Sequence, residues 1–224
     1  LLEKDLNVLL DGVTEGRRTF VNLMKYIKLA TSFNFGEVVS VIIASVLLPF
    51  LPETPIQLLV EGLLYDFGQL TLPFDHVDKE ALQKPKSFSI KSLKHFMFFM
   101  GPLSSAFDIL VFASLWFIFQ VRDVATFQTI WFSYSITSNL IGMHIIRTAK
   151  MPFIQSNAHK AVYISSLSLI AIGILIPFTN LGNILGFVPI AIPYIVLIFI
   201  ITFLYCIVAI FAKKFYIKKY GEWI

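Results

Sequence analysis

Residues 31–74 read TSFNFGEVVSVIIASVLLPFLPETPIQLLVEGLLYDFGQLTLPF. This stretch contains two apolar segments, each long enough to cross a bilayer, joined by the tight turn Pro52-Glu53-Thr54-Pro55. It also carries Asn34, Glu37, Glu61 and Asp66 at membrane depth. A carboxylate at the bilayer centre costs about 2.5–3.5 kcal/mol even on the lenient insertion scale. Several such groups in one helical hairpin require something that cancels their charge, a bound cation or a proton. The hairpin therefore points to cation movement across a membrane.

The rest of the 224-residue chain agrees. It is 57% hydrophobic and only 14% charged, against about 25% charged in a soluble domain. Apolar segments fall at about 33–51, 56–74, 96–119, 130–146, 162–178 and 190–211. The expected fold is an all-α polytopic membrane protein with six transmembrane helices and a short cytoplasmic stalk. Of the 18 Lys and Arg residues, only Arg122 lies on the side of the turns at 52–55, 120–129 and 179–189. The positive-inside rule then places both ends of the chain in the cytoplasm. These bases sit in short loops between apolar runs, which excludes nucleic acid as a partner. Cys206 is the single cysteine and lies within an apolar run, so no disulfide framework or cysteine metal site is expected. The chain opens at Leu1-Leu2-Glu3-Lys4 without a methionine, as expected of a piece of a longer protein.

Four of the 14 acids, Glu37, Glu61, Asp66 and Asp108, fall within the spans, and none of the bases does. An acidic interior suits a cation path and not an anion path. Asn34 and Glu37 are three apart and share a helix face that Ser40 continues. Gly62 and Asp66 share a face of the second span. Glu61 lies about 140° from Asp66 on a regular helix. Both carboxylates therefore aim inward only if the helix is irregular near Gly62; otherwise Glu61 reaches toward the outer interface. Asp108, near Ser104 and Ser105, either pairs by hydrogen bonds within the bundle or serves as a further ligand. Ser133, Ser135, Thr137 and Ser138 suit interhelix hydrogen bonds, and His144 suits the interface. Residues 14–29 form a basic amphipathic helix running unbroken into the first span. It is either a juxtamembrane anchor or a stalk that transmits motion.

Ser32-Phe33-Asn34-Phe35-Gly36-Glu37-Val38, Leu48-Pro49, Tyr65-Asp66 and Leu72-Pro73-Phe74-Asp75 resemble the fifth and sixth spans of a P-type ATPase. Phe74-Asp75-His76-Val77-Asp78, the run from Gly101 to Leu110, His144-Ile145-Ile146-Arg147-Thr148 and Pro152-Phe153-Ile154-Gln155-Ser156 are similar to the bacterial magnesium-transporting subclass. The resemblance implies that residues 1–30 are the tail of a phosphorylation domain and its stalk. Residues 31–224 would then be spans five to ten, in a bacterial inner membrane. It implies Asn34, Glu37 and Asp66 as cation ligands and places Asn139 at an eighth-span ligand position, with Glu61 and Asp108 as further candidates. The transported ion would be Mg²⁺, which keeps several waters and needs only one or two carboxylates. The ligands are all oxygen donors, which suits this ion and not zinc or copper.

The partners implied are the lipid bilayer and the remaining spans and cytoplasmic domains of the same pump, where ATP with Mg²⁺ would bind. The 224 residues contain no Asp-Lys-Thr-Gly-Thr phosphorylation motif, so this stretch by itself is expected not to hydrolyse ATP. Magnesium pumps often carry an amide where Glu37 stands, so a calcium-type pump is the alternative. A non-catalytic membrane fragment or cation pore is the alternative from another class.

Overall fold

The computed structural model describes residues 6–223; the first five residues of the expected phosphorylation-domain tail at 1–13 lie outside the described residues. Helix α1 (Leu6–Leu47) is one uninterrupted rod of 42 residues, roughly 63 Å long at 1.5 Å per residue. That is about twice the hydrocarbon thickness of a bilayer, so the amphipathic stretch and the first apolar segment form one rigid element.

The turn after α1 ends in a capping box. The Thr54 hydroxyl accepts from Gln57 N, and the Gln57 side chain accepts from Thr54 N at 3.0 Å. Pro55 stands at the first helical position, where its missing N–H costs nothing. Helix α2 (Pro55–Gln69) stops earlier than the apolar run does. Pro73 disfavours helical geometry in the residue before it, and residues Leu72–Phe74 form a 3₁₀ turn. A short α3 (Lys79–Leu82) follows. Then come α4 (Ile90–Ala113, prolonged by a π turn at Ser114–Ile118), α5 (Val124–Ile146), α6 (Lys160–Leu175, ending in a 3₁₀ turn at Ile176–Phe178), α7 (Asn180–Ile184) and α8 (Ile192–Tyr220). Gly221 ends α8 in the left-handed conformation at φ +71°, where a residue without Cβ is favoured.

Among the described residues, four helices are long and apolar enough to cross a membrane: α1, α4 with its π turn, α6 with its 3₁₀ turn, and α8. The sequence led us to expect six. Helix α2 has only 15 residues, about 22 Å. Helix α5 is long enough but rich in Ser and Thr. From Phe127 to Ile146 every residue of α5 except Asn139 and Ile141 is buried. It lies at the centre of the bundle, against α2, α6 and α8 and touching α1 and α4. A helix surrounded by protein has no need of an apolar surface.

Helix α1 runs along α4, and glycines let the backbones approach. A Cβ on Gly36 would stand 2.9 Å from the Gly101 carbonyl oxygen, and one on Gly101 would stand 3.1 Å from the Ser32 carbonyl oxygen. This is the small-residue packing that membrane helices use in place of hydrophobic association. The last turn of α5 is capped from outside. Lys213 Nζ donates to the carbonyls of Ile145, Thr148 and Lys150 at 3.0, 3.1 and 2.8 Å, and Trp223 Nε1 donates to Ile146 O at 2.8 Å. These satisfy carbonyls that a helix end leaves without partners.

Candidate cation site

The α1–α4 seam positions the first acid. Ser105 Oγ donates to the Gly36 carbonyl at 2.7 Å. Ser40 Oγ lies 2.5 Å from Asp108 Oδ2 and 2.9 Å from the Gly36 carbonyl. Asp108 is 8% exposed and is thus held between helices by a hydroxyl. Glu37 is half-buried on α1 and lies close enough to Asp108, Glu53 and Glu61 to repel each of them.

Helix α2 is regular through Gly62, which decides the geometry of its two acids. Glu61 turns inward and is 1% exposed, whereas Asp66 is exposed. Glu61 does not reach the outer interface; it meets α5, where the Ser135 hydroxyl donates to its Oε1. Asn139 Nδ2 approaches the same hydroxyl at 3.5 Å. The carboxyl groups of Glu53 and Glu61 are neighbours that interact with each other. Glu53 is 2% exposed although it lies in the turn between α1 and α2. Both Glu53 oxygens and Glu61 Oε2 are buried without a donor among the described residues. Two neighbouring carboxylates offer no proton to each other, so a proton or cation between them is what would satisfy these atoms.

Two candidate ligands lie elsewhere. Asn34 is exposed on α1. Asp66 lines a cleft of about 580 Å³ between α1 and α2, whose walls include Asn22, Tyr26, Leu63, Phe67 and Gln69. Asp66 has no partner among the described residues. Glu37, Glu61, Asp108 and, through Ser135, Asn139 are thus gathered inside the bundle, while Asn34 and Asp66 face its open side. Among the described residues, no group of three His, Cys, Asp or Glu side chains is arranged to hold a metal ion. Of the hydroxyls on α5, Ser133 bridges to the Gly173 carbonyl on α6 at 3.1 Å and Ser135 bridges to Glu61. Thr137 and Ser138 instead bond within their own helix.

The cytoplasmic end expected from charge holds a second cluster. Asp75 is fully buried, and its Oδ2 accepts from Lys25 Nζ at 2.6 Å and Arg147 Nε at 2.7 Å. Its Oδ1 accepts from His159 N at 3.1 Å. Burial by itself would push this carboxyl up, but Lys25 and Arg147 outweigh it and hold the group below the usual carboxylate range. Arg147 also donates to the carbonyls of Ser156 and Asn157, and Asp78 accepts from Thr148 at 2.6 Å and Ser156 at 3.0 Å. Lys25 and Arg147, which a positive-inside count treats as solvated charges, are structural here. His144 is also buried rather than interfacial: its Nε2 lies 2.9 Å from Ser166 Oγ, and its ring stacks on Tyr163. Sequence reasoning missed Glu53 and Asp75. Alternating signs in Lys25, Asp75 and Arg147 are the only trace of the second cluster, and spacing along the chain hides it.

Known proteins provide an independent comparison. The profile of the family described as "Cation transporting ATPase, C-terminus" matches residues 50–215. The magnesium-transporting ATPase, P-type 1, of Salmonella typhimurium strain LT2 is 45% identical over 226 residues, covering 100% of this chain and 25% of that protein. Its namesake in Escherichia coli K12 is 43% identical over 224 residues, covering 99% and 25%. The chain therefore spans about a quarter of the length of these relatives. With a profile match across most of its length and end-to-end identity at this level, the chain belongs to the C-terminal region family of the cation-transporting ATPases.

Proposed function

We propose that this chain is the ion-translocating membrane part of a P-type ATPase that imports Mg²⁺ into the bacterial cytoplasm. In this reading α2 and α5 also cross the membrane, making six spans with both ends cytoplasmic. The lower part of α1 is the stalk, and ATP is hydrolysed by domains outside these residues. Helix α2 spans despite its length because its ends continue into the turns at 52–54 and 70–74. Helix α5 spans because its neighbours shield it from lipid. Mg²⁺ is the cargo: Asp66 meets it in the cleft, and Glu37, Asn34 and Asn139, which stand apart from Asp66 in this structure, would join an oxygen shell only as the assembled pump closes around the ion. Glu61 and Asp108 set the charge of the interior around them.

The observation that carries this reading is Asp66, an ionisable group on a helix read here as intramembrane, which is exposed in an open cleft without a hydrogen-bond or ion-pair partner among the described residues. Such a residue is a pathway marker by default. In this reading further spans, outside these residues, close the cleft. Asp66→Asn in the full-length pump tests the reading: Mg²⁺ uptake should be lost while membrane insertion is retained. Wild-type uptake by that variant would remove Asp66 from the path. Glu37, a full carboxylate, favours the calcium-type alternative, and stronger occlusion of Ca²⁺ than of Mg²⁺ would decide for it.

A further inference from the structure

Helix α1 presents Asn22, Lys25 and Lys28 three residues apart, and all three are buried. Asn22 and Lys25 grip the Asp75 loop. Lys28 grips something else: its Nζ donates to the carbonyl oxygen of Trp223 at 2.5 Å, 195 residues away, and sits 4.9 Å from the centre of the Phe96 ring. Trp223 is 2% exposed. Its indole N–H holds the end of α5 at Ile146 O, and its ring meets Phe96 and Tyr216 edge-on. Beside it, Glu222 accepts from Ser92 of α4 at 2.5 Å. The segment 221–223 thus ties α1, α4, α5 and α8 together at one end of the bundle.

We propose that Trp223 is a positioning residue: held by Lys28, it clasps α1 to the bundle, and α1 moves along its axis only when this clasp opens. The inference rests on the pump reading, in which motion of α1 carries Glu37. The two lysines on this face differ in a way that suits the task. Lys25 is neutralised by Asp75 in direct contact. Lys28 has no carboxylate within ion-pair distance among the described residues and is held by a carbonyl and a ring alone. Its counter-charge, Glu222, acts from beyond contact distance, and a buried ammonium without a carboxylate in direct contact is less fully compensated than Lys25, so this contact opens more readily than its neighbour. Trp223 also borders a cavity of about 440 Å³, which leaves room for the segment to swing out.

The experiment uses the full-length pump carrying Lys28→Met, Trp223→Phe, both together, or Lys28→Arg. Hydrogen–deuterium exchange across residues 216–223 should be faster in Lys28→Met and at wild-type level in Lys28→Arg. At fixed nucleotide, the Mg²⁺ concentration for half-maximal ATP hydrolysis should shift by about fivefold or more in each single variant, with the maximal rate within about twofold. The double variant should shift no further than either single one, because both break the same clasp. Unchanged exchange in Lys28→Met, additive shifts, or a shift that Lys28→Arg fails to restore would overturn the proposal. If Lys28→Met does not assemble, Trp223→Phe, which removes the indole N–H bond to Ile146 O and part of the ring but keeps the carbonyl that Lys28 holds, carries the same two expectations because it frees the segment from α5. If the wild-type pump shows no Mg²⁺-stimulated hydrolysis, the pump reading fails while the exchange comparison still decides the clasp.

Discussion

Replacing Asp75 by Asn is the most telling perturbation of the Lys25–Asp75–Arg147 cluster. The carboxylate accepts two charge-assisted hydrogen bonds at 2.6 and 2.7 Å from cations that are 2% and 1% exposed in their side chains. An amide of the same shape keeps one acceptor but removes the negative charge, leaving Lys25 and Arg147 buried side by side without compensation. Two hydrogen bonds to charged groups contribute about 1.5–3 kcal/mol each, and removing one partner of a buried ion pair costs about 3–5 kcal/mol. The two routes agree at about 4 kcal/mol, a fall in melting temperature of roughly 8–16 °C if the membrane part unfolds as a unit of this size.

Thermal unfolding of the detergent-solubilised full-length pump, wild type against Asp75→Asn, measures this. Adding Lys25→Met to Asp75→Asn should recover part of the loss, because one of the two stranded charges is gone. The pH dependence has a definite sign. The folded-state value of Asp75 is depressed, so its stabilisation is fully present above the unfolded carboxylate value of about 3.9. It is lost as pH falls through the lower folded value. The gap between wild type and variant should therefore persist from neutral pH down to about 4 and close only below that. A melting temperature within about 2 °C of wild type at pH 7 would refute the reasoning, since that corresponds to no more than about 1 kcal/mol.

Two further substitutions probe the fold. Gly36→Val places a branched Cβ against the backbone oxygen of Gly101, which cannot rotate away. It should cost about 1–3 kcal/mol, read as a lower melting temperature with helical content unchanged, and a neutral result would mean that α1 and α4 are not in close contact. Thr54→Ala removes the hydroxyl half of the capping box on α2 and should cost about 1 kcal/mol, with exchange rising first at the amide of Gln57.

The sequence by itself determined the material of this protein: long apolar helices, an acidic interior, basic loops on one side, and acids at positions 37, 61, 66 and 108. These follow from composition and period, because a bilayer admits only helices or closed barrels and makes intramembrane charge conspicuous. The 140° offset between Glu61 and Asp66 was also legible, but its consequence waited on whether α2 breaks at Gly62. Only the tertiary structure showed that it does not, sending Glu61 into the bundle against Ser135 and Asp66 into the cleft. The tertiary structure alone also buried Glu53 from a turn and made Lys25, Lys28, Arg147 and Lys213 internal partners. The physical reason is that hydropathy counts side chains one at a time along a chain. Whether a charge is solvated or held depends on groups 50, 72 or 195 residues away, and only folding brings those together.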